Sequence, residues 1–347
     1  MPYKGPSLMF QSRLLADTVQ LAADNQVLIL NSAADPFVPI AAQQLSTGTI
    51  TLAEDNIANL QAAQTALAQI DHNSTHIALH KYILHYPPAA MDVAVMNLLY
   101  QASNAWIAYE LQLAAYALKP GGLLYVVGAK DRGVLSVVKR MQELFGNVET
   151  LAVSKGHRVL CSIQPQQAGT RHANTKHGAE LILFAGGRLD EGTQLLLEAL
   201  EVRAKDEALD IGCGAGFIGM HIAKLAREGN VTMVDASLAA VDAVRQIVEQ
   251  DSLANIAVLP SDGAQAVLSQ RFDLVVTNPP FHLGGLQTTE VAERFIREAA
   301  QVLRPRGRFY LVANRFLKYE PIMRTCFATV EEVRGNTRYK VLRCTHI

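Results

Sequence analysis

Residues 207–229 read EALDIGCGAGFIGMHIAKLAREG, and this stretch decides the architecture. "EALDI" (207–211) is a short β-forming run, glycines follow at 212, 214 and 216, and "FIGMHIAKLAREG" has the apolar spacing of a helix ended by Gly229. A strand that turns through glycines into a helix opens a doubly wound α/β sheet. The glycines allow a tight turn and let a ligand lie against the backbone at the helix N-terminus. The rhythm continues downstream. "VTMVD", "IAVLP", "FDLVVTN" and "GRFYLVAN" are predicted strands. "SLAAVDAVRQIVEQ", with Ser237 as N-cap, and "EVAERFIREAAQVL" (290–303) are predicted helices. This alternation predicts a mainly parallel sheet. The tail "TVEEVRGNTRYKVLRC" predicts an antiparallel hairpin turning at Gly335-Asn336, on the sheet edge.

The N-terminal half repeats the order. "NQVLILNSAADPFVPIAAQQL" stands where the C-terminal half has the glycine turn, "TGTITLAED" matches "GNVTMVDAS", and "ILHYPP" matches "VVTNPP". "ALKPGGLLYVVGAKDRG" matches "VLRPRGRFYLVANRFLK". Four matches in one order indicate an internal duplication, with Pro87 set against Pro279 and Pro120 against Pro305. The domains are then 1–163 and 179–347, joined by the polar, aperiodic linker 164–178. In the first copy Asn31, Ser32, Ala33, Ala34 and Asp35-Pro36 replace the glycines, and their side chains would block a ligand's approach. That copy is expected to keep the fold without the cofactor loop.

Three acids follow successive strands of the second copy. Asp210 precedes the first glycine, where it can reach a cationic ligand. Asp235 is placed for ribose hydroxyls, and Asp262, in "PSDG", for an adenine amine. An acid before the glycines fits the ammonium of S-adenosylmethionine better than a pyrophosphate. Cys213, inside the loop, is expected to be a packing residue because no base lies near it in sequence.

"FDLVVTNPPFHLGG" (272–285) ends a strand in Asn-Pro-Pro-Phe. Two prolines fix the exit from the sheet and remove two N–H donors, which leaves acceptors at the Asn278 side-chain oxygen and the Pro279 carbonyl. Such acceptors suit the two N–H groups of a planar conjugated amine. Phe281 offers a ring on which a flat base can stack. Pro280 and His282 border the same turn. "YPP" at 86–88 has no amide acceptor and is expected only to end a strand.

The chain has 347 residues, half of them hydrophobic, and a net charge of −1. No apolar run approaches the roughly 18 residues of a membrane helix, and the start resembles no secretory signal. The four scattered cysteines argue against a disulfide scaffold and a zinc site. A cytoplasmic chain without metal is expected. Basic residues cluster at Lys155, Arg158, Arg171 and Lys176, between Arg304 and Lys318, and from Arg334 to Arg343. These clusters fit phosphate contacts, or equally solvated faces balanced by nearby acids.

The combination resembles the class I S-adenosylmethionine-dependent methyltransferases that modify exocyclic amines. The likeness is closer to one group, the ribosomal RNA guanine-N2 methyltransferases of the small-subunit methyltransferase C type and their large-subunit relative. It is carried by "FAGGRLDEGTQLLL" (184–197), "LDIGCGAG" (209–216), "VVTNPPFH" (275–282), "LYVVGAKDRGV" (124–134) and "VANRFLKY" (312–319). It implies two tandem Rossmann-like methyltransferase domains, the first degenerate and the second catalytic. It further implies that Asp210, Gly212, Gly214, Gly216, Asp235 and Asp262 bind S-adenosylmethionine and that the segment with Arg188, Asp190 and Thr193 covers it. Asn278, Pro279 and Phe281 would then position guanine, with Arg315 and Lys318 toward the RNA. A ribosomal RNA or subunit is the implied partner, 16S ahead of 23S, and a pseudo-dimer in one chain suits a monomer. Two alternatives stay open. One is transfer to another planar amine, such as adenine N6, cytosine N4 or a protein glutamine. The other is a non-catalytic RNA-binding assembly factor.

Overall fold

The computed structural model describes residues 6–70, 74–166, 189–280, 282–283, 286–287 and 289–346. The chain divides into two compact units, Met1–Ile182 and Leu183–Ile347. In the first, β1 (Gln26–Leu30), β2 (Thr49–Glu54), β3 (Ser74–Ala78), β4 (Met91–Asn97), β5 (Leu118–Ala129), β6 (Glu149–Ser154) and β7 (His157–Ile163) form a sheet ordered 3-2-1-4-5-7-6. In the second, β8 (Ala208–Ile211), β9 (Val231–Asp235), β10 (Ile256–Pro260), β11 (Phe272–Thr277), β12 (Leu303–Asn314), β13 (Thr329–Gly335) and β14 (Tyr339–Thr345) follow the same order, 10-9-8-11-12-14-13. Five strands of each sheet run parallel and the last two form an antiparallel hairpin. The duplication expected from sequence is therefore a duplication of topology.

The central strands are apolar on both faces because helices cover both. On β8 and β11, Leu209, Ile211 and Val275 join one core, while Ala208, Leu274 and Val276 join the other. This is the two-residue alternation of a pleated strand. The scaffolds agree in polar detail as well. Asp92 at the start of β4 accepts from Gln26 N at 2.8 Å and pairs with Lys119 at 2.6 Å. Asp273 at the start of β11 accepts from Glu207 N at 3.0 Å and pairs with Arg304 at 2.6 Å. Before β2 and β9 the backbone passes so close that a Cβ on Gly48 would lie 2.2 Å from Asn25 O, and one on Gly229 would lie 2.1 Å from Asp206 O.

Two expectations change. Gly229 does not end the helix after the glycine loop: that helix spans Phe217–Leu225, and Gly229 serves the close backbone passage instead. Tyr86-Pro87-Pro88 is not the counterpart of the Asn-Pro-Pro turn. It precedes β4, and the strand registers place Leu30 beside Met96 just as Ile211 lies beside Thr277, so Asn278 corresponds to Asn97. The dipeptide Pro-Pro misled because it is conspicuous, whereas the equivalent run MDVAVMNLLY has no proline. Of the two readings of the basic clusters, balance by acids nearby in space holds for several of their residues. Arg308 is buried on Asp206, Arg334 meets Glu198, Arg338 meets Glu191, and Arg343 meets Glu201 and Glu331.

Candidate active site

The glycine loop is fastened to the strand beside it. Gly212 N and Cys213 N donate to Val234 O at 2.8 and 3.0 Å, and Gly214 N donates to Asp235 Oδ2 at 2.8 Å. The other Asp235 oxygen accepts from Ser237 N at 2.8 Å, so Asp235 clamps the loop to the start of the next helix. Gly214 has φ +52°, and a Cβ there would meet no atom within 4 Å. At Gly214 the loop thus presents bare backbone to open space. Asp210 lies fully buried beneath it. One of its oxygens accepts from Gly219 N at 2.9 Å, the other has no partner, and burial pushes the acid up to about 7. A buried carboxyl with one unpaired oxygen is a group that a nearby cation would hold ionised. Burial also pushes the Cys213 thiol well up, which fits a packing role rather than a nucleophile.

Asp262 follows β10 but pairs with Arg294, whose guanidinium also donates to Asp262 O at 3.2 Å. Next to it, buried Glu298 accepts from Ala264 N at 2.8 Å and Gln265 Nε2 at 2.7 Å, and so shapes the turn after β10. Sequence reading missed Arg294 and Glu298. Their only signal was a charged residue at i+4 from another on the helix Glu290–Val302, a common surface pattern.

Asn278 begins the turn after β11. Its Nδ2 donates to Thr193 Oγ1 at 2.9 Å and lies 3.4 Å from Asp190 Oδ2. Thr193 Oγ1 in turn donates to Asp190 Oδ2 at 2.6 Å, and Asp190 Oδ1 accepts from Thr193 N, capping the helix Glu191–Ala199. Asp190 and Thr193 were expected around the cofactor; the structure joins them to Asn278. Asn278, Pro279 and Pro280 line one side of a cleft of about 370 Å³, and Asn314, Leu317 and Tyr339 line part of the other. Phe281, the side chain of His282 and Arg188 lie outside the described residues, as does linker segment 167–178.

The equivalent place in the N-terminal unit is filled. Asn31 stands at the first glycine's position with φ +42°, and its Nδ2 donates to buried Glu110 at 3.0 Å while its Oδ1 accepts from Asp55 N at 2.8 Å. Glu54, at the end of β2 as Asp235 is at the end of β9, accepts from Ala33 N at 3.0 Å, and burial pushes it up to about 7. Asn97 donates to Asp35 at 2.6 Å. Burial raises Glu110 well above the usual carboxyl range, and its second oxygen has no partner. A group whose native value exceeds its unfolded value holds a proton that unfolding releases. Its contribution is therefore complete at low pH and is lost as the pH climbs from about 4.5 through the native value. Glu110→Gln, which keeps the oxygen facing Asn31, is expected to melt above the wild type at pH 8, with the gap closing toward pH 5. Parallel melting curves at all pH values would refute the assignment.

Beside the cleft, β12 runs into residues 315–318. Arg315 is held by Glu332 at 2.8 Å and Asn336 O at 2.7 Å, so it braces the hairpin. Lys318 has no acidic partner among the described residues, and Phe316 is 60% exposed. Phe316 was missed because an aromatic in "NRFLKY" reads as core.

A doubly wound sheet with an open glycine loop, acids at consecutive strand ends and an Asn-Pro-Pro turn defines a class I methyltransferase domain, and here the fold occurs twice. The chain belongs to the methyltransferase small domain family, which matches residues 8–161 and 177–343. It is 29% identical over 344 residues to a ribosomal RNA small subunit methyltransferase C of Shewanella loihica, covering 95% of this chain and 97% of that protein. It is 32% identical over 271 residues to the protein of that name from Pseudomonas putida, covering 74% and 78%. Among solved structures it resembles the T. thermophilus 16S rRNA N2 methyltransferase in complex with AdoMet and guanosine. That match has a TM-score of 0.79 and 28% identity, over 99% of this chain and 93% of the other.

Proposed function

We propose that this chain transfers a methyl group from S-adenosylmethionine to the exocyclic N2 amine of a guanine in 16S ribosomal RNA. The observation that carries the reading is the Asn278 turn: an amide whose NH2 is engaged at Thr193 while its oxygen and two donor-free prolines border the cleft. Full-length likeness to small-subunit methyltransferase C proteins supports the choice of substrate. When bound, S-adenosylmethionine supplies an electrophilic methyl on a sulfonium.

The residues divide the work. Gly212, Gly214 and Gly216 present backbone to the cofactor, Asp235 faces the ribose, and Asp210 and Asp262 serve its ammonium and adenine ends. Asn278 Oδ1 and the Pro279 carbonyl accept the two N–H groups of guanine N2. They hold the amine in line and stabilise the positive charge it acquires. The N2 proton leaves to water. Phe281 stacks on the base, and Pro280 and His282 border it. Residues 1–163 form a methyltransferase-like domain that binds no cofactor, 164–178 are a linker, and 179–347 are catalytic. The chain acts as a monomer in the cytoplasm. Lys318 and exposed Phe316 offer a cation and a ring to the strand flanking the target, while Arg315 holds the hairpin behind them.

The test is transfer of labelled methyl to unmodified 30S subunits and to free 16S rRNA, read by nucleoside mass spectrometry. N2-methylguanosine supports the reading; label on another base or on protein overturns it. Lys318→Gln is expected to weaken RNA binding and to reduce the salt dependence of log K by about one charge's worth. An unaltered salt slope would remove Lys318 from the RNA face.

A further inference from the structure

We infer that Asp190, Thr193 and the second proline, Pro280, are positioning residues that fix which end of the Asn278 amide faces the substrate. The inference rests on the guanine-N2 reading for its kinetic consequence, though not for its geometry. Asp190, as a carboxylate, can only accept, so the 2.6 Å contact makes Thr193 the donor. The Thr193 oxygen is then left to accept, and the Asn278 atom 2.9 Å away must be the NH2. A two-step relay therefore turns the amide so that Oδ1 points away from Thr193. A carboxamide without such a relay presents either end, and the NH2 end would repel an amine donor.

The N-terminal copy shows what happens to this oxygen when proline is absent. Asn97 stands at the position of Asn278, and its Nδ2 is likewise engaged by an acid, Asp35. Its Oδ1, however, accepts from the backbone N–H of Leu99 at 3.0 Å. Leu99 is two residues beyond Asn97, as Pro280 is two beyond Asn278. Asn readily closes a turn on the N–H two residues ahead. Proline has no N–H, so this internal bond cannot form at Asn278 and its oxygen is reserved for a ligand. The second proline thus has a chemical role besides shaping the chain.

Three variants test this: Thr193→Val, which keeps the shape and loses the hydroxyl, Thr193→Ser, which restores it, and Pro280→Ala, which supplies the missing N–H. Thr193→Val and Pro280→Ala are expected to lower kcat by about 10²-fold, the scale of a small misplacement of a reacting group. Cofactor affinity by calorimetry and the melting temperature should stay near wild type, and Thr193→Ser should recover most of the rate. An unchanged kcat in Thr193→Val, or a loss that tracks weakened cofactor binding, would overturn the inference. A second readout needs no substrate. In protein labelled with 15N-asparagine, the Asn278 side-chain NH2 should be protected from hydrogen exchange in wild type and Thr193→Ser and exposed in Thr193→Val. Equal protection in all three would also overturn it. A wild type that labels another base would instead refute the guanine reading and leave the exchange result standing.

Discussion

Asn278→Ala is expected to lower kcat for methyl transfer by about 10²–10³-fold, the scale seen when one preorganised polar partner of a reacting group is removed. The cofactor dissociation constant should stay within a few fold, because the glycine loop is held by Val234 O and Asp235 on β9 rather than by Asn278. The loss should appear in kcat more than in KM, since the charge that Asn278 Oδ1 is proposed to stabilise grows only as the N–C bond forms. Single-turnover transfer with saturating cofactor, beside calorimetric binding, makes the measurement. Asn97→Ala provides the contrast. Asn97 is buried and bonded at both ends, to Asp35 and to Leu99 N, so its loss should lower the melting temperature and leave kcat unmoved. If the two variants change kcat alike, Asn278 is a structural residue and the amine-clamp assignment is wrong.

The second large effect concerns stability. Arg308 on β12 is buried, donating to Asp206 Oδ2 at 2.5 Å and Glu201 O at 2.6 Å, and Asp206 also accepts from Arg203 N at 2.7 Å. Asp206→Ala leaves that guanidinium buried and uncompensated, which costs about 3–5 kcal/mol. The melting transition of the second unit should fall by on the order of 10 °C for a domain of this size. Replacing both partners with apolar residues, Asp206→Leu with Arg308→Met, should recover much of the loss, because desolvation of the pair offsets much of its attraction. Calorimetry of both variants decides it. A single variant that melts like the wild type would mean that Arg308 escapes to water.

Most of the fold was legible because its signals are local. Strand runs of β-branched residues, the glycine turn and the Gly335-Asn336 hairpin each announce themselves within a few residues. The duplication was legible as an order of elements but misaligned at the one place where dipeptide identity was trusted over register. Proline stands out in a string of letters; the pairing of β4 with β1 does not. The candidate site's backbone was legible where geometry requires a rare residue type, as at Gly214 with its positive φ. Contacts across 85 residues of chain, as between Thr193 and Asn278, left no local signal to read. Which reading of the basic clusters holds was illegible for the same reason, since the acids that neutralise Arg334, Arg338 and Arg343 come from the helix Glu191–Ala199 and its neighbours, far off in sequence.

Gly48 and Gly229 sit in equivalent turns, and neither tolerates a Cβ, whereas Gly214 faces empty space. Inheritance acts on these two kinds of glycine in different ways. A substitution at Gly48 or Gly229 breaks the half that carries it, and such a lineage ends. A substitution at a position like Gly214 costs architecture little and costs only the trade practised there. A copied domain relieved of that trade by its twin is therefore free to drift at its mouth while its frame is kept under scrutiny. On the same frame in the N-terminal half, Asn31 bonds Glu110 and Glu54 accepts from Ala33 N, the pattern such a history would leave.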